Sequence, residues 1–128
     1  MAYVSFRTTS EIATVLAWHD ALNARDLDTL EQLCSDDIEV GDSAGAAQGH
    51  AALRKWAEEF DSTVEPGRMY VHNGVVVVEQ TVTAADGVSR AGAASFRVVH
   101  DHVTSLFRHD TLAAALAATD LTEHDLTG

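Results

Sequence analysis

The sequence is poor in cysteine, lysine and proline, each of which occurs once. Since the single cysteine, Cys34, cannot form an internal disulfide, we expect a reducing compartment, and the cytoplasm is the default. The single lysine, Lys55, contributes to only 8 basic residues against 20 acidic ones, and the net charge is −12. Nucleic-acid binders need clustered basic side chains to displace the counterions of phosphate, and anionic membranes repel acidic chains. The composition therefore excludes nucleic acid and membrane surfaces as partners.

Long apolar runs and phosphate-binding motifs are absent as well. The first residues carry no positively charged region ahead of an apolar stretch, so no secretory signal is expected. No run approaches the roughly 20 residues of a membrane-spanning helix. The glycine-rich segment 41–49 lacks the Lys-Ser/Thr ending of a phosphate-binding loop. We therefore expect neither membrane insertion nor a nucleotide cofactor.

The seven histidines are scattered along the chain and do not form a metal-binding pattern. His100 and His102 flank Asp101, but this triplet falls at a predicted turn, and Cys34 lies on a different element. Because zinc needs three or four convergent ligands, no metal is expected. His109 stands beside Asp110, a pair that could shuttle protons, although strand alternation turns His109 away from the concave face.

Length and hydrophobic periodicity predict one α+β domain over residues 1–128. The first half has helical signals: a capping box formed by Thr8 and Glu11, a second helix capped by Asp26, and a third helix over residues 50–60. A short strand over residues 38–40 and a flexible stretch over 41–49 separate the last two helices.

The second half has the period of β-strands. Asn73 and Gly74 predict a tight hairpin because both central residues of a type I′ turn need positive φ. Pro66 and Gly67 predict a loop, and Asp110 is predicted to cap a short C-terminal helix. The predicted strands cover residues 69–72, 75–83, 91–100 and 103–108.

Residues 75–78 are four consecutive valines, so their strand is apolar on both faces. A strand with one solvated face alternates between apolar and polar residues instead. The predicted helices cover one face, and a second subunit is the simplest cover for the other. The sequence thus predicts a homodimer formed through the sheet, with the C-terminal segment, residues 112–126, as the other possible cover.

The segment 18–30, followed by 34–40, and the order of three helices, a short strand and a four-stranded meander are similar to the nuclear-transport-factor-2-like superfamily. Its members include SnoaL-type polyketide cyclases, ketosteroid isomerase, scytalone dehydratase and limonene-epoxide hydrolase. The resemblance implies three N-terminal helices packed on a strongly curved antiparallel sheet, a short C-terminal helix, and a cone with one pocket for a small organic molecule. Since one fold carries many activities, it does not fix the chemistry.

The resemblance makes Asp42 the candidate catalytic residue, because the segment 40–45 resembles the one that carries the general-base aspartate of ketosteroid isomerases. Trp18 falls where those enzymes have an oxyanion-hole tyrosine, and its indole N–H is a poorer donor. The second oxyanion acid falls near Ala93 or Ala94, neither of which can donate. The alternative interpretation of Asp42 is a solvated or capping carboxylate in a glycine-rich loop.

The resemblance also places Leu106 and Arg108 on the concave side of the last strand. Limonene-epoxide hydrolases have a catalytic aspartate near the position of Arg108. Because this position is cationic here, the acid–base pair needed for epoxide hydrolysis is missing. Arg108 could anchor a ligand carboxylate or phenolate, or form an ion pair with Asp42 or Asp110. The aromatic residues Trp18 and Trp56 complete the predicted pocket.

Two functions follow from these residues. The first is binding of a small, largely apolar molecule in the cone, with or without acid–base chemistry of the isomerase, cyclase or dehydratase kind. The second is a non-catalytic dimeric binding or interaction module with a closed pocket. An open pocket that both Asp42 and Arg108 reach favours the first function, and a pocket filled by side chains favours the second.

Overall fold

The computed structural model describes residues 6–42 and 44–127. The helices of this part of the chain are α1 Phe6–Asn23, α2 Leu27–Gln32, α3 His50–Glu59 and α4 Leu112–Thr119, followed by the 3-10 turn Glu123–Asp125. The strands are β1 Cys34–Asp42, β2 Gly45–Gln48, β3 Thr63–His72, β4 Val75–Thr83, β5 Ser89–Val99, β6 His102–His109 and β7 Leu126–Thr127. The predicted α+β class is therefore confirmed.

The described strands form one sheet in the order β2-β1-β6-β5-β4-β3-β7. Neighbouring strands are antiparallel except β1 and β6, which run parallel, so the sheet is mixed where an antiparallel one was predicted. Register shifts interrupt β1, β3 and β5, and such bulges increase bending and twist. This curvature gives the sheet a concave face, against which the helices of the first half pack.

Side-chain caps explain where α2 and α4 begin. Asp26 caps α2 as predicted, because its carboxylate accepts the Thr29 N–H. The cap of α4 was predicted one residue too early: Thr111, not Asp110, accepts the Ala114 N–H. The helix α1 begins at Phe6, so Thr8 lies inside it and is not its N-cap.

Two segments predicted as loops are strands in the structure. Part of the segment 41–49 is strand β2, which pairs with β1. Pro66 lies within β3 at a register shift, an arrangement that a bulge allows although proline cannot donate to the ladder. The hairpin at Asn73 and Gly74 is as predicted, with φ of 50° and 81°.

The four valines 75–78 face two separate cores. Val76 and Val78 belong to the main core between helices and concave face. Val77 packs on the other side with Tyr70, Ala115 of α4 and other apolar residues. Of the two covers that the sequence left open, the C-terminal segment of the same chain is the one that packs on this face. Whether the chain forms a homodimer stays a prediction.

Candidate functional site

A small cavity lies between α1, α3 and the concave face of the sheet. Its volume is about 10 Å³. A cavity needs about that much space to hold a single water molecule. Its lining residues are Trp18, Leu22, Trp56, Phe60, Val64, Gln80, Ala94, Leu106 and Arg108. Side chains thus fill the cone almost completely.

Aromatic rings form one wall of this cavity. Trp18, which is 1% exposed, meets Phe96 edge to face with ring centroids 5.0 Å apart. Trp56 stacks on Phe60 at 5.1 Å with an interplanar angle of 20°. Trp56 and Phe60 are only half-buried, so the outer part of this wall is the part that reaches solvent.

Arg108 closes the cavity beside Phe60. Its guanidinium carbon lies 4.9 Å from the centroid of the Phe60 ring, a cation–π contact. Burial, and then the like charge of Arg90, lower the pKa of Arg108, while Asp42 and Asp110 raise it. Among the described residues, however, no ion pair joins Arg108 to either carboxylate.

Asp42 lies outside the cavity, at the end of β1. Its side chain is exposed, and its Oδ1 accepts the Ala44 N–H at 2.8 Å, which is the geometry of a capping carboxylate in a turn. It lines an open groove at the rim of the cone together with Arg90 and Arg108. The structure therefore brings Trp18, Trp56, Leu106 and Arg108 together and leaves Asp42 apart, behind Arg108.

The glycine before Asp42 helps to set this position. A Cβ at Gly41 would lie 2.8 Å from the Cβ of Ala46 and 2.8 Å from the ring of Phe107. Such distances are far below van der Waals contact, so only glycine fits where β1 meets β2 and β6. Because of this close approach, the end of β1 packs tightly against β2 and β6, and Asp42 lies at the rim of the cone.

Sequence reasoning missed a buried polar pair beside the cavity, His19 and Gln80. His19 Nδ1 lies 2.8 Å from the carbonyl oxygen of Val15, so Nδ1 carries the proton and donates. His19 Nε2 must then accept, and it does so from the Gln80 amide nitrogen at 2.9 Å. Burial lowers the pKa of His19, which favours this neutral form.

A signal for this pair was present in the sequence. His19 has the helical spacing of the apolar residues of α1, and Gln80 continues the alternation of Val76 and Val78 along β4. Two polar residues on opposing apolar faces can be buried only if each satisfies the other. The pairing itself required the tertiary structure.

The thiol of Cys34 lies next to the same core. Burial raises the pKa of Cys34 to about 12, although the nearby indole N–H of Trp18 opposes the shift. That N–H meets no oxygen or nitrogen acceptor within the described ranges, so the thiol is its polar neighbour. Cys34 is therefore an unreactive core residue, because the thiolate is the nucleophilic form.

Other sequence candidates lie elsewhere. His100 and Asp101 occupy a turn with φ of 51° and 64°. His109 lies on the opposite side of the sheet from the cavity and shares a hydrogen bond of 3.1 Å with Ser95. In residues 6–42 and 44–127, no group of three or more potential ligands could hold a metal ion. In the same ranges, no helix is long and apolar enough to cross a membrane.

A SnoaL-like domain profile matches residues 15–110, which contain every cavity-lining residue. The chain belongs to the SnoaL-like family. This match runs from the second half of α1 to the end of β6, includes Asp42, Arg90 and Arg108, and leaves α4 outside it. No curated protein matches this SnoaL-like domain significantly.

Solved structures share the fold of the SnoaL-like domain at low sequence identity. A protein named as a polyketide cyclase from Sinorhizobium meliloti is 22% identical, with a TM-score of 0.69, over 76% of this chain and 94% of its own. A protein named as a ketosteroid isomerase from Kribbella flavida is 18% identical, with a TM-score of 0.71, over 78% and 76%. TerC, co-crystallised with polyporic acid, is 17% identical, with a TM-score of 0.66, over 82% and 94%. At these identities the likeness shows the nuclear-transport-factor-2-like fold alone.

Proposed function

We propose that this SnoaL-like domain binds a small, largely apolar organic molecule in its cone and does not transform it. The observation that carries the proposal is the composition of the cavity wall. Aromatic and aliphatic side chains form most of it, and none of the residues that line it is a carboxylate. Apolar pockets with few polar groups are the usual form of small-molecule sites.

Binding requires the cavity to open, because its volume of about 10 Å³ holds no organic ligand. The half-buried pair Trp56 and Phe60 is the part of the wall that can move. Phe60 follows the last residue of α3 in an extended conformation, so its displacement does not unwind the helix. TerC, which shares the fold, was crystallised with a small organic molecule. This precedent supports the capacity of the fold for such a ligand.

The same geometry argues against acid–base catalysis. A general base must come within hydrogen-bonding distance of the substrate proton. Asp42 is the candidate base, and it lies at the rim with its Oδ1 bonded to the Ala44 N–H. His19 has no free basic nitrogen, because Nε2 already accepts from Gln80. We therefore infer that an enolisable ligand would bind without losing a proton.

A binding experiment with a neutral aromatic probe tests the proposal. Titration with 2-naphthamide, followed by tryptophan fluorescence, should show saturable binding because Trp18 and Trp56 line the cavity. Ala94→Leu should abolish the binding by filling the cavity floor. Ala91→Leu is the matched control, since Ala91 is exposed on the same strand. Equal binding by both variants, or none by the wild type, would contradict the proposal. Native mass spectrometry of ligands that co-purify with the protein would identify the natural molecule.

Proton exchange separates binding from catalysis. Deuterium incorporation into a cyclic ketone should occur at the uncatalysed rate in the wild type and in Asp42→Asn alike. If the wild type exchanged protons faster than the uncatalysed rate and Asp42→Asn did not, Asp42 would be acting as a base. The inference of binding without catalysis would then be wrong.

A second candidate function is an interaction module whose cavity stays closed. A pocket filled by side chains was expected to favour this candidate, and the volume of about 10 Å³ and the position of Asp42 outside the cavity support it. A homodimer formed through the sheet belongs to this candidate. An open groove of about 460 Å³, lined by Ser105, Phe107 and Ala118 among others, supports it because it leaves the outer face beside α4 uncovered. A stable dimer should bury at least about 1,000 Å² in total. Light scattering that gives a monomer mass at micromolar concentration would contradict this candidate. The buried free thiol of Cys34 supports a cytoplasmic location.

A further inference from the structure

Two arginine side chains point to the same rim of the cone. Arg108 of β6 is paired with Ala94 of β5, and Arg90 of β5 with Val82 of β4. Ala94 and Val82 belong to the main core, so strand alternation puts both arginines on the concave face. Both line an open groove of about 420 Å³. Gly92 lies between them along β5 and has no side chain to fill the space.

The charges of these arginines are not neutralised by contact. Arg108 is half-buried, and Arg90 lowers its pKa, so the two guanidinium groups are close enough to repel each other. Within the described ranges, no ion pair joins either arginine to a carboxylate. Asp42 and Asp110 share the groove and attract Arg108 at longer range. Guanidinium groups normally find planar, bidentate partners, and these two have none among residues 6–42 and 44–127.

Arg108 is also the one residue that lines both the inner cavity and the rim groove. Its contact with the Phe60 ring holds the guanidinium at this boundary. A ligand that enters past Phe60 would therefore have its apolar body in the cavity and its other end beside Arg108 and Arg90.

We propose that Arg90 and Arg108 together bind the carboxylate of an aromatic organic acid whose apolar body occupies the cone. This inference rests on the proposed binding function and specifies the class of ligand. The carboxylate would accept hydrogen bonds from Arg108 at the boundary and from Arg90 at the rim. It would also relieve the repulsion between the two cations.

In this arrangement, Asp42 should weaken binding of the ligand carboxylate. It lies in the same groove and carries the charge that repels the ligand carboxylate. Asp42→Asn should therefore bind the acid about three times more tightly, because an exposed like charge opposes binding only modestly.

A matched pair of probes tests the proposal: 2-naphthoate, which is ionised, and 2-naphthamide, its neutral analogue. The wild type should bind the acid about 10-fold more tightly, because hydrogen bonds to charged groups exceed neutral ones in strength. Arg90→Gln should remove most of this preference without changing amide binding, because Arg90 does not line the cavity, whereas Arg108→Lys should weaken binding of the acid more than binding of the amide. Arg97→Gln is the control for the loss of one positive charge, because Arg97 is exposed and its partner Val75 packs against the outer core.

The outcomes separate this inference from the proposed function. Equal affinity for acid and amide in the wild type would overturn the arginine pair and leave the binding function intact. The same holds if Arg90→Gln behaves like Arg97→Gln. If neither probe binds, the proposed function and this inference fall together. Circular dichroism of each variant shows that the fold is retained, and the exposed position of Arg90 makes Arg90→Gln the safer variant.

Discussion

The interior of the cone and its rim meet at the Arg108 side chain, and the two regions differ in how their polar and charged groups are paired. In the interior, His19 Nε2 accepts a hydrogen bond from Gln80, and the rest of the wall is aromatic or aliphatic apart from Arg108 at its outer edge. At the rim, Arg90 and Arg108 share a groove with Asp42, and in the part of the chain that the structure describes no ion pair joins either arginine to a carboxylate. Burial makes an unpaired polar group costly, whereas water screens an unpaired charge at low cost. The proposed recognition of a ligand by charge is therefore placed at the rim.

The largest expected effect is loss of an interior ring. Phe96→Ala should lower the free energy of unfolding by about 3–5 kcal/mol, because Phe96 is 0% exposed and packs on Trp18. Phe107→Ala should lower the free energy of unfolding by clearly less, because Phe107 is half-buried and lines the rim groove. Urea unfolding measures both. Equal losses would show that the rim is packed as tightly as the interior.

The accessibility of a thiol compares the two regions directly. Cys34 should resist alkylation by iodoacetamide in the folded protein, because it is buried and its pKa is raised to about 12. Ala44→Cys in a Cys34→Ala background places a thiol at the exposed rim and should react at least about 100-fold faster, as an exposed thiol of ordinary pKa does. Mass spectrometry of timed samples gives both rates. Rapid labelling of Cys34 would mean that the interior opens readily.

The pH dependence of stability tests the matched pair in the interior. The pKa of His19 is lowered in the folded state, so the unfolded chain binds more protons, and stability is lost as pH falls below the unfolded value of about 6.5. One such group changes the free energy of unfolding by at most about 1.4 kcal/mol per pH unit. His19→Gln should therefore lose less stability than the wild type between neutral and mildly acidic pH. His124→Gln, at an exposed position, is the control. If the unfolding free energies of the wild type and His19→Gln changed with pH in parallel, the lowered pKa of His19 in the folded state would be contradicted.

The smallest effect concerns the outer layer, where α4 covers the second core. Thr111→Ala should cost about 1 kcal/mol, because it removes the cap that accepts the Ala114 N–H. Asp110→Ala should leave the unfolding free energy nearly unchanged, since surface substitutions usually stay within about 0.5 kcal/mol. Thermal unfolding of the two variants distinguishes them. If Asp110→Ala lowered the free energy of unfolding more than Thr111→Ala did, Asp110 would be the N-cap of α4 after all.

Where prediction from the sequence succeeded, the signal was local. The positive φ of Asn73 and Gly74, the cap at Asp26 and the bounds of β4 all depend on a few adjacent residues. Prediction was wrong where distant segments decide. The strand β2 forms only because β1 lies beside it, and Pro66 enters a strand only because β4 and a bulge accommodate it.

The candidate site divides in the same way. The sequence and its family resemblance identified Trp18, Trp56, Leu106 and Arg108 as pocket residues, and the structure groups them around one cavity. Nothing local to the sequence showed that Arg90 would reach the same rim as Arg108 or that Asp42 would lie outside. Those positions follow from the register of β5 on β6 and from the close approach at Gly41.

By itself, the sequence determined the α+β class, the periods of its helices and strands, and the presence of two apolar faces along residues 75–78. The tertiary structure alone decided what covers the second face, which polar residues pair inside, and which charges stay unpaired at the rim. The physical reason is that hydrophobic burial depends on area and is not directional, so a pattern shows that a face must be covered without naming its partner. Hydrogen bonds and ion pairs act over a few ångströms, and only the packed chain sets such distances.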